Sequence, residues 1–248
     1  NSASVTPITT AVTPAGFPPS AIVLATPCGG PWPDTFVSST VGVGPSSFAV
    51  NTVRVDSGDS VKTWGQSLSM NFLAFFPFVR ARMQCGSIHV GPRDAQGATV
   101  RGYFPQAFAQ VPRVLLTARS PSGSDTFAVS TCGITTTGFS ARLWRADAAR
   151  GSMQDVTLDC LAFDSLQDLA AIEAQSGTVT VGPHGSNTSH EAVVTVLFNQ
   201  PFTKSPKIVV TPRGGAYDDV FAATLTSVTS AGFRVNIVRL DGSFGWGQ

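Results

Sequence analysis

Apolar and polar residues alternate through much of this chain, and each alternating stretch ends at Gly, Pro, Asn, Asp or Ser. A period of two places successive side chains on opposite faces of an extended strand. Between residues 85 and 164 the pattern predicts six strands, at 87–91, 99–104, 113–118, 127–134, 139–146 and 154–163. The run Phe139-Ser140-Ala141-Arg142-Leu143-Trp144-Arg145 is the clearest, with Ser140, Arg142 and Trp144 on one face. The corresponding positions elsewhere are Ala49, Asn51 and Val53, and Arg234, Asn236 and Val238, which predicts a semi-exposed face. Thr136-Thr137-Gly138 and Ser230-Ala231-Gly232 mark tight turns. One helix is expected, over 165–175: Ser165 is an N-cap with Asp168 three residues on, and Leu166, Leu169 and Ile172 recur at helical spacing. The apolar linker Phe76-Pro77-Phe78-Val79-Arg80 is expected to be buried between modules.

The same pattern recurs three times. Gly86-Ser87-Ile88-His89-Val90-Gly91-Pro92 answers Gly177-Thr178-Val179-Thr180-Val181-Gly182-Pro183. A Phe and a Pro then precede an apolar run: Phe17, Pro19 and Ile22–Thr26; Phe108, Pro112 and Val114–Thr117; Phe202, Pro206 and Ile208–Thr211. Asp34-Thr35-Phe36, Asp125-Thr126-Phe127 and Asp219-Val220-Phe221 follow. Each of these Phe residues is trailed by a second Phe after 12 residues, an Arg after 6 more and an Asp after 2 more. Those positions are Phe48, Arg54 and Asp56; Phe139, Arg145 and Asp147; and Phe233, Arg239 and Asp241. Such spacing identifies repeat 1 (1–76), a linker (77–84), repeat 2 (85–164), a helical linker (165–175) and repeat 3 (176–248). Repeats 1 and 2 close alike, in Phe72-Leu73-Ala74-Phe75 and Cys160-Leu161-Ala162-Phe163. Repeat 1 is abbreviated at its start, and repeat 3 is expected to lack its last strand.

The expected class is therefore all-β: three tandem six-stranded antiparallel sandwiches, the outer two abbreviated, around a pseudo-threefold axis. Charged residues make up only 12% of the chain, about half the ~25% of ordinary soluble domains. A net charge of +1 gives no basic field for nucleic acid. No apolar run approaches the roughly 18 residues of a membrane span. Of four cysteines, Cys132 and Cys160 stand where repeat 1 has Val41 and Phe72, which favours a disulfide within repeat 2 over two buried thiols. Cys28 and Cys85 offer a second disulfide, clamping repeat 1 to repeat 2. The sequon at Asn187 fits secretion and N-glycosylation.

The opening Ser176-Gly177-Thr178-Val179, the strand Pro206–Val210, the turn Thr137-Gly138-Phe139 and the closing Leu-Ala-Phe together resemble the H-type lectin domain, the snail-agglutinin type of N-acetylgalactosamine-binding module. The resemblance covers nearly the whole chain apart from the linkers. It implies a six-stranded sandwich that assembles in threes, with sugar held in clefts between neighbouring modules. Sugar contacts would come from the loop after the first strand, offering Asp94 in repeat 2 and His184 to His190 in repeat 3. The loop after the fifth strand offers Asp56, Asp147 and Asp241. The family's arginine at the fourth strand has Thr35, Thr126 and Val220 near its place, and its Trp-His pair is replaced by Arg-x-Asp.

Two readings of Arg54/Asp56, Arg145/Asp147 and Arg239/Asp241 stand side by side: ion pairs that brace a strand end, or a donor fork and acceptor presented to sugar hydroxyls. Trp64 and Trp246 suit stacking on a sugar face or anchoring of their loops. His89, His184 and His190 lack metal-binding spacing, and Asp218-Asp219 is too small a set for calcium. No nucleophile elbow, phosphate loop or zinc motif is present, and the only glutamates are Glu173 and Glu191. No cofactor is expected. The sequence thus points to a secreted, lectin-like protein that binds glycans or glycoproteins in adhesion or glycan recognition. The alternative is a structural subunit of an extracellular filament, sheath or matrix, assembled by strand exchange.

Overall fold

The computed structural model describes residues 6–12, 20–30, 34–45, 47–56, 67–120, 125–147, 153, 155–166, 173–182, 191–214 and 219–241. It is all-β, with strands in three sheets. Repeat 1 contributes β1 (Thr6–Val12), β2 (Ile22–Cys28), β3 (Phe36–Val41), β4 (Ser47–Arg54) and β5 (Ser69–Phe75). After a short β6 (Phe78–Arg80), repeat 2 contributes β7 (Met83–His89), β8 (Gly97–Tyr103), β9 (Arg113–Ser120), β10 (Phe127–Ile134), β11 (Gly138–Arg145) and β12 (Thr157–Phe163). Repeat 3 contributes β13 (Glu191–Leu197), β14 (Phe221–Val228) and β15 (Gly232–Arg239). The six strands predicted for repeat 2 all form, and the burial of Phe139, Ala141 and Leu143 fixes the inward face of β11.

Within repeats the pairing is antiparallel and repeats itself. β1 pairs with β4, β8 with β11 and β13 with β15, while β3–β4, β10–β11 and β14–β15 form hairpins. The β10–β11 turn is closed by Thr135, whose Oγ1 accepts the amides of Thr137 and Gly138; Thr229 holds Ala231 and Gly232 in the same way. Gly138 and Gly232 are required there by close approach. A Cβ on either would run into a carbonyl oxygen of the neighbouring strand, that of Gly102 or Val196.

The sheets do not stop at the repeat boundaries. The seven-stranded sheet runs β1-β4-β3-β9-β12-β7-β6 and joins repeat 1 to repeat 2 through a parallel step, Thr40 beside Arg119. The five-stranded sheet, β13-β15-β14-β2-β5, joins repeat 3 to repeat 1 through Leu225 beside Cys28. The third step is an isolated bridge between Thr131 of the β10-β11-β8 sheet and Arg213 of repeat 3. The steps run from repeat 1 to 2, 2 to 3 and 3 back to 1.

Because each parallel step is only a residue or two long, the flanking backbone needs other partners. Hydroxyls supply them, each accepting from an N–H and donating to the carbonyl of the same residue. Ser39 does so to Phe127 (2.7 and 3.3 Å), Ser130 to Phe221 (2.9 and 3.4 Å) and Thr224 to Phe36 (2.7 and 3.1 Å). A second set runs the other way: Thr117 to Ala25, Thr211 to Leu116 and Thr26 to Val210. Both sets close a ring of three.

Apolar burial follows the same plan. Repeat 2 has its own core of Val100, Phe108, Leu116, Phe127, Phe139, Leu143 and Leu158, and repeat 1 a smaller one around Val23, Phe48 and Val50. Two further clusters draw on all three repeats. One gathers Leu24, Leu115 and Val209 with Met83, Leu161 and Phe163; the other gathers Val37, Ala128 and Ala222.

Several expectations are corrected. The face carrying Ala49, Asn51, Val53 and Arg234, Asn236, Val238 is open only at its first position, where Arg234 is exposed and Ala49 half-buried; the rest is buried at the repeat junctions, where Asn51 and Asn236 donate to the carbonyls of Asp125 and Asp34. The linker at 76–80 is not buried between modules: Phe76 and Val79 are about half exposed, because β6 is an edge strand that turns only Phe78 inward, against Phe75. The four cysteines form no disulfide. Cys160 faces the repeat 2 core, whereas Cys132 lies at the bulge in β10 between Thr131 and Gly133. Cys85 packs in the cluster holding Ile22 and Leu24, and Cys28 is at the far end of β2, four residues or about 13 Å of strand from Leu24. That separation is beyond disulfide reach. Ser165, Leu166 and residues 173–175 are not helical, and the rest of the expected helix, 167–172, lies outside the described residues.

Candidate functional site

The arginines at the ends of β4, β11 and β15 each sit between two carboxylates. Arg145 places Nε 2.9 Å from Asp147 and Nη2 2.7 Å from Asp125. Arg54 spans Asp56 (2.6 Å) and Asp34 (2.7 Å) with one Nη2. Arg239 meets Asp219 at 2.8 Å and Asp241 at 3.1 Å. A guanidinium is a planar fork, so one side chain reaches both acids at once. The second acid comes from the Asp-x-Phe triplet entering β3, β10 and β14. That carboxylate had a signal in the sequence, its recurrence in every repeat, but it stands 20 residues before its arginine.

These clusters also tie down backbone. Asp56 accepts the amide of Thr35, and Asp147 that of Thr126. The backbone pairs at the same place: the amides of Val55, Ala146 and Leu240, each between the arginine and its aspartate, donate to the carbonyls of Thr35, Thr126 and Val220. The Asp56 hydrogen bond raises the Arg54 pKa above its already high value. Burial pushes Asp125 up, against the pull of Arg145, and among the described residues its buried Oδ2 has no hydrogen-bond partner. With Arg145 only 9% exposed and its Nε and Nη2 directed at carboxylates, the arrangement is a brace; little of the fork faces solvent. The bracing reading therefore fits the geometry better than the fork-to-sugar reading for Arg54/Asp56, Arg145/Asp147 and Arg239/Asp241.

The loop after β7 comes next to this brace in repeat 2. Gln96 accepts the amide of Arg145 through its carbonyl and donates from its side chain to the Arg145 carbonyl, at 2.8 and 3.1 Å. Arg93 and Met153 form a two-way backbone bridge, tying this loop to the one that follows β11. Asp94 projects from the loop, exposed. Thus the first-strand loop and the fifth-strand end meet at one rim, beside the junction where Asn51 of repeat 1 touches Asp125. His89 is exposed, 3.8 Å from Asp155. Trp64, Trp246, His184, His190 and Asn187 lie outside the described residues.

A buried carboxylate elsewhere belongs to the same junctions. Asp159, in β12, is fully buried; it accepts from Ser87 (2.9 Å), pairs with Arg119 (3.1 Å) and takes the amide of Val23 in repeat 1 (3.1 Å). Burial pushes its pKa up to about 6 despite those partners. Burial likewise raises the Cys85 thiol to about 12 and lifts Cys160 further, which keeps both protonated and unreactive at neutral pH.

A cavity of about 50 Å³ lies where the three repeats meet, flanked by Phe36, Phe127 and Phe221. It has room for a water or two, not for a sugar ring. Comparisons with protein-family models, with curated proteins and with solved structures returned no significant match.

Proposed function

We propose that this chain is a non-enzymatic, secreted, lectin-like protein that binds galactose- or N-acetylgalactosamine-type glycans at the rim between neighbouring repeats. In this reading its three repeats are one sandwich module used three times around a pseudo-threefold axis. The observation that carries the reading is the closed ring of inter-repeat contacts: a single chain reproduces the threefold assembly that the H-type resemblance implies. The convergence of the Asp94 loop with the end of β11 at a repeat junction supports the position of the site. Arg54, Arg145 and Arg239 then act as positioning residues, holding the strand ends from which the recognition loops spring. Up to three weak sites in one rigid unit would bind a multivalent surface by avidity. A glycan array followed by calorimetric titration tests this. Retention of galactose-type glycans, weakened at least tenfold in Asp94→Ala, is expected; an empty array and no heat with either sugar would refute it.

A second reading, a structural subunit of an extracellular filament or matrix, is favoured by one observation. In repeat 3 the residues corresponding to β7 and β9, at 177–182 and 207–211, form no strand, and their apolar side chains are more exposed than those of repeat 2.

A further inference from the structure

The two ends of the molecule expose different chemistry. β4, β11 and β15 begin at Ser47, Gly138 and Gly232 and run to the braces at Arg54, Arg145 and Arg239, so each repeat has a brace end and, opposite it, a turn end. Register places the turn end of repeat 2: Tyr103 stands opposite Gly138, Phe163 opposite both Met83 and Arg113, and Arg80 opposite Met83. The loop after β8 closes onto the same end. There Gln84 donates to the carbonyl of Gln106 at 2.6 Å, and the amide of Phe108 to that of Thr136. Repeat 3 matches it, with Leu197 opposite Gly232 and the amide of Phe202 on the carbonyl of Ser230. The cluster that gathers Phe75, Met83, Phe163 and Val209 holds the turn ends of the three repeats on one side.

Exposed apolar side chains concentrate there. Phe76, Val79, Tyr103, Val111 and Leu197 are between 52% and 76% exposed, and they are five of the seven large apolar residues so placed among the described residues. Tyr103 and Leu197 hold the same position in repeats 2 and 3, and their exposures of 76% and 75% agree although only repeat 2 shows six strands. Apolar tips left in water at one end mark a docking surface. Cations stand among them. Arg80, Arg113, Lys204 and Lys207 are exposed at this end and make no ion pair among the described residues. Of the acids there, Asp164 is taken by Arg82 at 3.1 Å and Glu173 accepts from Thr203 at 3.2 Å. The brace end has the opposite sign, with six aspartates against three arginines in the braces alone. A net charge of +1 therefore conceals a polar molecule.

We propose that the turn end docks on an anionic phospholipid membrane, with the five apolar tips entering the interface and the four free cations meeting lipid phosphates. The proposal stands apart from the glycan reading, since it uses the end away from the rim. Charge selects the occupant. Two copies meeting turn end to turn end would bring like charges together, and the brace end offers a second copy none of these apolar tips. The tips belong to different repeats and are spread around the axis, so a rigid partner would need a separate pocket for each, whereas a fluid surface admits all at once. Tyr103 joins an apolar ring to a hydroxyl, which suits the headgroup level. Lys and Arg stems lie along apolar surface while their charges stay at the phosphates. Each tip is small, so attachment is peripheral and needs the apolar and the electrostatic contribution together. Docked this way, the braces and the Asp94 loop face away from the membrane.

Flotation of the intact chain with phosphatidylcholine vesicles, with and without phosphatidylserine, tests this. Saturable binding to the serine-containing vesicles is expected, at least tenfold stronger than to phosphatidylcholine alone and weakening as salt is raised. Two double variants at exposed positions, folded by circular dichroism, probe the two contributions: Tyr103→Ser with Leu197→Ser, and Arg113→Glu with Lys207→Glu. Each is expected to weaken binding at least tenfold, whereas Arg93→Glu, at the brace end, is expected to leave it unchanged. No flotation with the anionic vesicles would overturn the proposal. So would full binding by the serine variant beside loss in the glutamate variant, which would show a contact with polyanions that needs no lipid interior. Glycan titration of the serine variant is expected to match the parent, so either proposal can fail without the other.

Discussion

Asp159 is the residue whose environment most opposes its chemistry. Its folded pKa of about 6 exceeds the unfolded value near 3.8, so the folded protein binds the extra proton between those limits. Stability from this group is therefore full at low pH and declines as pH rises from about 4 to about 6, by about 3 kcal/mol in all. Asp125, raised for the same reason, adds to the slope in the same direction. Asp159→Asn is expected to flatten this part of the pH–stability curve, measured by urea denaturation at pH 4.5 and 7; an unchanged slope would contradict it. Arg145 behaves oppositely, since it compensates two buried acids. Arg145→Met is expected to cost about 3–5 kcal/mol because Asp125 and Asp147 are left buried without a cation. Arg54→Met, at a side chain 22% exposed, is expected to cost less, and the comparison is read from the same denaturation curves. The Arg–Asp spacing was legible in the sequence, and so was the Asp-x-Phe triplet; their union was not, because the carboxylate lies 20 residues upstream and only the hairpin brings it round.

At the level of elements, alternation located strands such as β8 and β11 well because their inward face alone is fully buried, so the period of two is written in side-chain type, whereas β12 is buried on both faces. The glycine of each tight turn was legible for a related reason. Gly138→Ala is expected to destabilise by about 1–3 kcal/mol, since its Cβ meets the Gly102 carbonyl across the ladder, and thermal melting checks it. Gly232→Ala should behave alike. What alternation did not reveal is which edge meets which across the repeats. Those steps use Ser39, Ser130, Thr224, Thr26, Thr117 and Thr211, small polar residues whose hydroxyls look like ordinary strand-face residues in sequence. The cysteines misled for a similar reason. Equivalent positions in two repeats predict burial, but not that Cys160 faces a core while Cys132 sits at a bulge.

At the scale of the molecule, the repeats are joined because two of the three sheets cross a repeat boundary and the third, β10-β11-β8, is bridged to repeat 3 at Thr131 and Arg213. The sequence announced three copies; it could not announce that each completes its neighbours, since that information resides in backbone edges and in clusters such as Leu24, Leu115 and Val209. A chain of independent beads would expose those edges, whereas a ring satisfies them. The Asp94 loop of repeat 2 comes beside one of these junctions, which supports the glycan proposal. Differential scanning calorimetry of the intact chain tests this closure most directly. Mutual completion predicts one cooperative transition whose van't Hoff enthalpy equals the calorimetric enthalpy. Two or three separable transitions, with a van't Hoff enthalpy well below the calorimetric one, would contradict it.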